Sequence, residues 1–197
     1  MERGIVEGIH PDPWQTDTCV GDWFYKREQR YKTPAMVIQM LADIVSRNGN
    51  LLLNFPLRPS GVLDFEEHWI LDEIGKWMKM NGEAIYATRP WTTFGEGPTK
   101  AAGGMFSERN FKGYTAEDFR FTSKGNTLYA IALGWPENGE LIIRSLGESG
   151  GAAPQVGRVE LLGHGQPLEF SRSAAALTVR MPAEKPCDYA YALKIRT

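Results

Sequence analysis

The sequence predicts two structural classes in one chain: the last βα units of an incomplete (β/α)8-type barrel over residues 1–84, then an antiparallel β-sandwich over residues 85–197. In the first part, strand-like and helix-like segments alternate, which is typical of parallel βα units with right-handed crossovers. In the second part, turn residues separate short strand-like segments about every ten positions, as in sandwiches. A closed barrel takes about 250 residues, so the first part can supply only a piece of one.

The first predicted unit is a strand, a helix and a second strand. A β-prone stretch covers residues 16–20, and Thr33 followed by Pro34 is the pattern of an N-cap with proline at the first helical position. Apolar residues then recur at helical spacing, and Gly49 is predicted to end the helix. The apolar run Leu51–Phe55 is predicted as a strand buried on both faces, as in parallel sheets.

A second helix is predicted to begin after Asp64, because Asp64 and Glu67 have the spacing of a capping box. The helix is expected to end at Asn81-Gly82, and residues 85–87 are expected to form a further short strand. The predicted buried stripe of the helix comprises Ile70, Leu71, Ile74, Trp77 and Met78.

The second region is predicted to be rich in strands. Residues 95–118 contain many glycines and polar residues, which indicates a long ordered loop or a small insertion. The segment Trp135–Gly139 ends in Asn-Gly and is predicted as the turn of a hairpin. The predicted strands comprise residues 119–122, 127–133, 140–144, 156–162, 177–181 and 188–195.

Composition and charge narrow the possible functions. A net charge of -2 and a pI near 6.0 give no basis for a nucleic-acid or membrane-surface partner. No apolar run approaches the roughly 20 residues that span a bilayer. Cys19 and Cys187 lie at opposite ends of the chain and the three histidines are isolated, so neither a disulfide framework nor a metal site is expected. No cofactor is expected. The first residues lack a signal-peptide pattern, and neither compartment nor oligomeric state is indicated.

Polar and aromatic side chains cluster where a barrel enzyme carries its functional groups, at the ends of strands and in the loops that follow. Carboxyl groups beside aromatic rings suit glycoside chemistry, because one carboxyl protonates the leaving oxygen while rings cover the apolar face of a sugar. The same residue types also serve as turn formers, caps and packing groups. The candidates are Glu2, Trp14, Asp17, Trp23, Tyr25, Asn54 and Arg58.

Three long motifs, in order along the chain, carry a resemblance to a known family. Residues 46–54 (SRNGNLLLN) are similar to the closing barrel strand of α-L-fucosidases, glycoside hydrolase family 29. Residues 74–91 (IGKWMKMNGEAIYATRPW) resemble the last barrel helix of that family and its exit into the C-terminal domain. Residues 133–139 (LGWPENG) resemble a hairpin of that domain.

The resemblance implies a retaining hydrolase that acts on terminal α-L-fucosyl linkages of glycans, with an Asp nucleophile and a Glu acid/base. Glu2 matches the acid/base by order and spacing, and no residue matches the nucleophile. Trp14 matches the tryptophan of the family's Trp-Glu pair, but Gln15 replaces the glutamate and its charge is lost. Tyr25 matches a tyrosine of the next strand-to-loop segment. The loop of residues 55–61 departs from the family's common form, which leaves the substrate subgroup open.

The expected partner is therefore a fucosylated glycan, and the family implies a secreted, periplasmic or lysosome-like parent enzyme. Because the nucleophile has no match, we expect the chain to be a truncated fragment that is inactive alone. One alternative is a stand-alone carbohydrate-binding or structural β-sandwich module, with Trp135 among its binding candidates. Another is a different retaining barrel glycosidase with a similar closing strand.

Overall fold

The computed structural model describes residues 1–100, 103–105, 113–149 and 155–196. Its first part is a strand–helix–strand–helix succession: β1 (Trp14–Cys19), α1 (Pro34–Ser46), β2 (Gly49–Asn54) and α2 (Phe65–Asn81). The two strands are parallel and paired in register from Trp14↔Gly49 to Cys19↔Asn54. Their carboxyl ends therefore lie at the same edge.

The second part contains two antiparallel sheets. Their strands are β3 (Arg89–Glu96), β4 (Phe119–Lys124), β5 (Thr127–Ala132), β6 (Glu140–Ile143), β7 (Arg158–Leu161), β8 (Phe170–Arg172), β9 (Leu177–Arg180) and β10 (Tyr191–Arg196). One sheet has the order β3-β4-β5-β10-β7 and the other the order β6-β9-β8. Inward-facing side chains of both sheets form one apolar core, so the sheets are stacked as a sandwich.

Both helices begin at the caps that the sequence predicts. The Thr33 side chain accepts a hydrogen bond from the amide of Met36, and Pro34 is the first residue of α1. At α2, the Asp64 carboxylate accepts from the amide of Glu67 while the Glu67 carboxylate accepts from the amide of Asp64. These caps satisfy backbone donors that have no partner within the helix.

The helices pack on the outer face of the five-stranded sheet. Ile38 of α1 and Trp77 of α2 share a buried cluster with Ile131 of β5. The Trp77 indole N–H also donates to the Ala190 carbonyl oxygen at 2.8 Å, and the Gln39 amide donates to the Leu133 carbonyl oxygen at 2.8 Å. The chain is thus layered as helices, five-stranded sheet and three-stranded sheet.

A buried ionic cluster joins α1 to the same sheet. The Asp43 carboxylate pairs with Arg47 one turn along the helix, with 3.2 Å between Oδ2 and Nε. Asp43 also pairs with Arg120 of β4. The ring of Phe94 lies 3.7 Å from the Arg47 guanidinium carbon and 5.5 Å from that of Arg120. One carboxylate therefore serves as the shared counter-charge of two guanidinium groups that are almost fully buried.

Four sequence predictions for the first part are wrong in detail. Gly49 does not end α1: Asn48 takes the left-handed conformation, with φ of 71°, and Gly49 opens β2. Residues 85–87 form a turn, and the strand begins at Arg89. Leu71 is exposed on α2, and β2 is not buried on both faces because Leu52 is 52% exposed.

The predicted hairpin at Trp135–Gly139 is also wrong. β5 pairs with β4 and β10, whereas β6 pairs with β9 in the other sheet. The segment therefore carries the chain from one sheet to the other. The strands predicted from residue 119 onward are confirmed within a few residues. The strand β8 was not predicted, and the residues of β3 were assigned to the exit segment and to the loop that follows it. Of the residues 95–118 predicted as a loop, 101–102 and 106–112 lie outside the described residues.

Within the described ranges, no helix has the length and apolar character that crossing a bilayer requires.

Candidate active site

The candidate site lies at the carboxyl edge of the β1–β2 pair. Residues 1–3 run alongside β1, on the side opposite β2: the Asp17 amide donates to the Met1 carbonyl oxygen at 3.0 Å and the Arg3 amide donates to the Asp17 carbonyl oxygen at 2.8 Å. Glu2 is thereby paired in parallel with Asp17. This pairing fixes the backbone of Glu2 close to the strand end.

Trp23 connects the three segments that meet at this edge. Its indole Nε1 donates to Oε1 of Glu2 at 3.0 Å. Its backbone carbonyl oxygen accepts from Nδ2 of Asn54, the last residue of β2, at 3.4 Å. All three residues are half-buried. The structure thus brings together three side chains that the sequence singled out, from the segment before β1, the loop after β1 and the end of β2.

Arg3 is the residue of this cluster that sequence reasoning missed. Its guanidinium carbon lies 5.5 Å from the centre of the Trp23 ring, and its Nη2 lies 2.9 Å from Sγ of Cys19 and 3.7 Å from Oδ1 of Asp22. The one available signal was its place directly after Glu2. Burial raises the pKa of the Cys19 thiol despite the nearby Arg3, so the thiol is protonated at neutral pH.

Asp22 shapes the loop that carries Trp23. Its Oδ1 accepts from the amide of Trp23 at 2.8 Å, and its carboxylate pairs with Lys26. The hydrogen bond from Lys26, followed by that from the Trp23 amide, lowers the pKa of Asp22. Asp22 is therefore ionised at neutral pH and acts as a fixed acceptor within the loop.

Tyr25 and Arg58 form a second contact above the same edge. The Arg58 guanidinium carbon lies 5.8 Å from the centre of the Tyr25 ring, within the range of a cation–π contact. Tyr25 belongs to the loop after β1 and Arg58 to the loop after β2. The contact between the Tyr25 ring and the exposed Arg58 guanidinium thus connects the two loops.

The remaining candidates lie elsewhere on β1. Trp14 is the first residue of the strand, about 17 Å from its carboxyl end at a rise of about 3.3 Å per residue. Its indole Nε1 donates to the Arg47 carbonyl oxygen at 2.9 Å, and its ring packs on Gly49. Trp14 therefore supports the amino end of the β1–β2 pair. Asp17 is in mid-strand, where its backbone holds residues 1–3.

The arrangement presents the carboxyl group of Glu2, which accepts from the Trp23 indole N–H at the edge of a parallel pair. A carboxyl group so oriented can transfer a proton to and from an oxygen atom bound above the edge. Within the described ranges, no group of three or more His, Cys, Asp or Glu side chains could hold a metal ion.

Comparison with known families divides the chain into two matched parts. Residues 1–83 match the family model described as alpha-L-fucosidase. Residues 112–196 match the model described as alpha-L-fucosidase C-terminal domain. The two matches follow each other in chain order and leave residues 84–111 between them.

Curated relatives of the chain are alpha-L-fucosidases as well. The chain is 32% identical to plasma alpha-L-fucosidase of Rattus norvegicus over 203 aligned positions, which cover 94% of this chain and 38% of the relative. It is also 32% identical to an alpha-L-fucosidase of Branchiostoma floridae, with 88% of this chain and 36% of the relative covered. The chain thus spans little more than a third of the length of these relatives.

Solved structures share the fold. An alpha-fucosidase of Thermotoga maritima in complex with fucose superposes with a TM-score of 0.77 at 23% identity, over 97% of this chain and 41% of that structure. Alpha-L-fucosidase isoenzyme 1 of Paenibacillus thiaminolyticus superposes with a TM-score of 0.74 at 26% identity, over 99% and 44%. Family models, relatives and fold agree, and the chain belongs to the α-L-fucosidase family, glycoside hydrolase family 29.

Proposed function

We propose that the complete protein is a retaining α-L-fucosidase in which Glu2 is the general acid/base. The observation that carries the proposal is the hydrogen bond of 3.0 Å from Trp23 Nε1 to the Glu2 carboxylate, at the carboxyl edge of the parallel β1–β2 pair. Barrel enzymes place their catalytic groups at this edge. Family membership supplies the substrate class, a glycan that ends in an α-L-fucosyl residue.

The proposed reaction is a double displacement at the anomeric carbon. An aspartate attacks that carbon while Glu2 donates its proton to the departing glycosidic oxygen, which leaves a fucosyl-enzyme ester. Glu2 then takes a proton from water, whose oxygen displaces the aspartate and releases fucose with its configuration retained. We assign the aspartate to the part of the relatives' length that these 197 residues do not span. In the complete site the two carboxyl groups should lie about 5–5.5 Å apart.

The loops beside Glu2 supply the proposed contacts to the sugar. Trp23 and Tyr25 offer ring faces for its C–H groups, and Asn54 and Arg58 offer polar atoms for its hydroxyls. Asp17 takes an indirect role, since its backbone holds residues 1–3 in place. Trp14 is left out of the proposed contacts because it packs at the other end of β1.

The test uses the complete coding region and an aryl α-L-fucoside. We expect turnover by the complete protein, a large loss with Glu2→Gln, and none by the 197-residue chain alone. Added azide should restore turnover of Glu2→Gln and give the α-configured fucosyl azide, because azide attacks the ester without help from a general base. Full activity of Glu2→Gln would move the acid/base to another residue, and absence of fucosidase activity in the complete protein would overturn the function itself.

We further propose that β1, α1, β2 and α2 are the last two βα units of a (β/α)8 barrel, and that residues 1–84 and 85–197 are its barrel part and the C-terminal domain. The parallel pairing and the exposed Leu52 on β2 support this division, since the inward-facing side chains of the other barrel strands would cover that surface. Residues 1–84 expressed alone should aggregate, because Ile38 and Trp77 would lose their cover. A monodisperse product that melts cooperatively would contradict this.

A further inference from the structure

We propose that the sandwich carries a binding cleft for a neutral saccharide beside Trp135. The cleft is built by the segment that links β5 to β6 and by the residues that follow β9. It shares no residue with the Glu2 cluster, so the inference goes beyond the proposed function and does not depend on it. Its volume is about 690 Å³, which is large enough for one or two sugar rings.

The cleft has a fixed frame. The amide of Met181 donates to the Gly139 carbonyl oxygen at 2.8 Å, and the amide of Gly139 donates to the Pro136 carbonyl oxygen at 3.3 Å. Gly139 has a φ of 76°, the left-handed conformation that glycine adopts without strain. The first hydrogen bond thus ties the two walls together, and the second closes the turn that forms one of them.

Trp135 provides an oriented ring in this frame. It packs against the sandwich core, and its ring meets that of Tyr191 edge to face, with centres 4.7 Å apart and planes at 67°. Lys185 Nζ lies 5.9 Å from its centre. These contacts fix the ring on the core side, while the side chain as a whole remains partly exposed.

The indole N–H of Trp135 is not used within the described part of the protein. It has no hydrogen-bond acceptor within the described part of the chain and is not among the buried polar atoms. By contrast, the indoles of Trp14, Trp23 and Trp77 each donate to a protein oxygen at 2.8–3.0 Å. Trp135 therefore offers both an apolar face and an unused donor, the combination that suits a sugar ring with its hydroxyls.

The polar lining indicates that the ligand is uncharged. Glu137 and Glu140 are exposed carboxylates without an ion pair among the described residues, and Asn138 lies between them. Arg180 lines the opposite wall, and Lys185 adds a second positive charge beside the ring. Arg180 is itself paired with Glu169 at 3.6 Å, so these charges sum to one negative charge, which disfavours an anion. One exposed charge in water holds a cation only weakly. Acceptors, donors and an aromatic face in an open cleft fit a hydroxyl-rich neutral molecule.

The test measures binding of lactose and N-acetyllactosamine, neutral probes without fucose, by calorimetry and by amide NMR shifts of the full chain. We expect millimolar affinity, weakened about tenfold or more by Trp135→Ala and unchanged by Trp69→Ala, which removes a tryptophan that is 46% exposed on α2. Shifts should centre on residues 135–140 and 180–183. Glu2→Gln should bind as the unaltered chain does, which separates this site from the proposed catalytic one.

Because Trp135→Ala removes a packed ring, a second variant acts on the exposed turn alone. Glu137→Ala should weaken binding severalfold without lowering the melting temperature, because the Glu137 side chain is exposed, whereas Asn138 is kept because its Oδ1 accepts from the Glu140 amide at 3.1 Å. No binding of either probe up to about 50 mM would overturn the proposal. Equal affinity of the folded turn variant and the unaltered chain would overturn it as well, and so would NMR shifts confined to other residues.

Discussion

The indole Nε1 of Trp23 donates a hydrogen bond of 3.0 Å to Oε1 of Glu2, across 21 positions of the sequence. The same tryptophan accepts from Asn54 through its backbone and lies under the Arg3 guanidinium. Trp23 is thus held on three sides, and the carboxylate that it contacts has a defined orientation. An orienting hydrogen bond of this kind is what a residue that exchanges protons with substrate requires.

Trp23→Phe keeps a ring in place but removes the N–H donor. The lost hydrogen bond orients the Glu2 carboxyl group, and one such bond contributes about 0.5–1.5 kcal/mol, so we expect kcat/KM of the complete enzyme to fall by about two- to tenfold. Trp69→Phe is the matched control, since Trp69 lies on α2 and is 46% exposed. The measurement is steady-state hydrolysis of an aryl α-L-fucoside. Equal kcat/KM for Trp23→Phe and the unaltered enzyme would show that the hydrogen bond has no role in turnover.

Asp43→Asn should destabilise the chain by about 3–5 kcal/mol, because it leaves the buried cations of Arg47 and Arg120 without their counter-charge. Urea unfolding should show a lower midpoint with the slope preserved. Asp72→Asn, at an exposed position of α2, should change the free energy of unfolding by less than about 0.5 kcal/mol. A change of similar size in the two variants would mean that the cluster does not stabilise the packing of α1 on the sheet.

Two glycine-to-alanine substitutions should change the free energy of unfolding in opposite directions. A Cβ atom on Gly49 would lie 2.6 Å from the Trp14 ring and 2.8 Å from Ile44 Cγ2, so Gly49→Ala should destabilise by about 1–3 kcal/mol. A Cβ atom on Gly75 would meet no described atom within 4 Å, and Gly75→Ala should stabilise α2 by about 0.5–1 kcal/mol. Urea titration of both variants under one set of conditions tests the pair. A stabilising Gly49→Ala would mean that Trp14 can move away at no penalty.

Glu67→Gln should remove a pH-dependent loss of stability that the buried Glu67 carboxylate causes at the start of α2. Glu67 is buried, its Oε2 accepts from the Asp64 amide at 2.9 Å, and its Oε1 has no partner within the described residues. Burial raises the pKa of Glu67 above its ordinary value of 4.5. The folded chain therefore keeps this proton to a higher pH than the unfolded chain, and Glu67 lowers stability increasingly as pH rises from 4.5 through the raised pKa.

Glutamine keeps an oxygen for the cap and carries no charge. The free energy of unfolding of Glu67→Gln, minus that of the unaltered chain, should therefore rise with pH above about 4.5 and then level off. Urea unfolding at several values between about pH 4 and 8 measures this difference. Glu66→Gln, at the exposed neighbouring position, is the control. A difference that is flat over the whole range would contradict the account.

Local hydrogen bonding explains which elements could be predicted. The caps at Thr33 and Asp64 use atoms within three residues of one another, so the sequence pattern suffices to place both helix starts. At the other end of α1 the pattern failed, because Asn48 adopts the left-handed conformation and Gly49 is needed instead for its contact with the Trp14 ring. That requirement comes from a residue 35 positions away in the sequence.

The partners of the strands were harder to predict from the sequence than the starts of the helices. The Asn-Gly pair at 138–139 does form a tight turn, but β6 joins β9 in the second sheet and not its neighbour β5. Turn composition reports only how the chain reverses locally, whereas the choice of a partner strand depends on which apolar faces the whole molecule must bury.

The sequence by itself determined the two helices, most of the strands and the family, because periodicity, caps and the three long motifs are properties of neighbouring residues. Only the tertiary structure decided which candidates meet. Parallel pairing in register brings the ends of β1 and β2 to one edge, and with them Glu2, Trp23 and Asn54. Trp14, the first residue of β1, lies at the opposite end of the strand, because each residue of a strand advances the chain by about 3.3 Å in one direction.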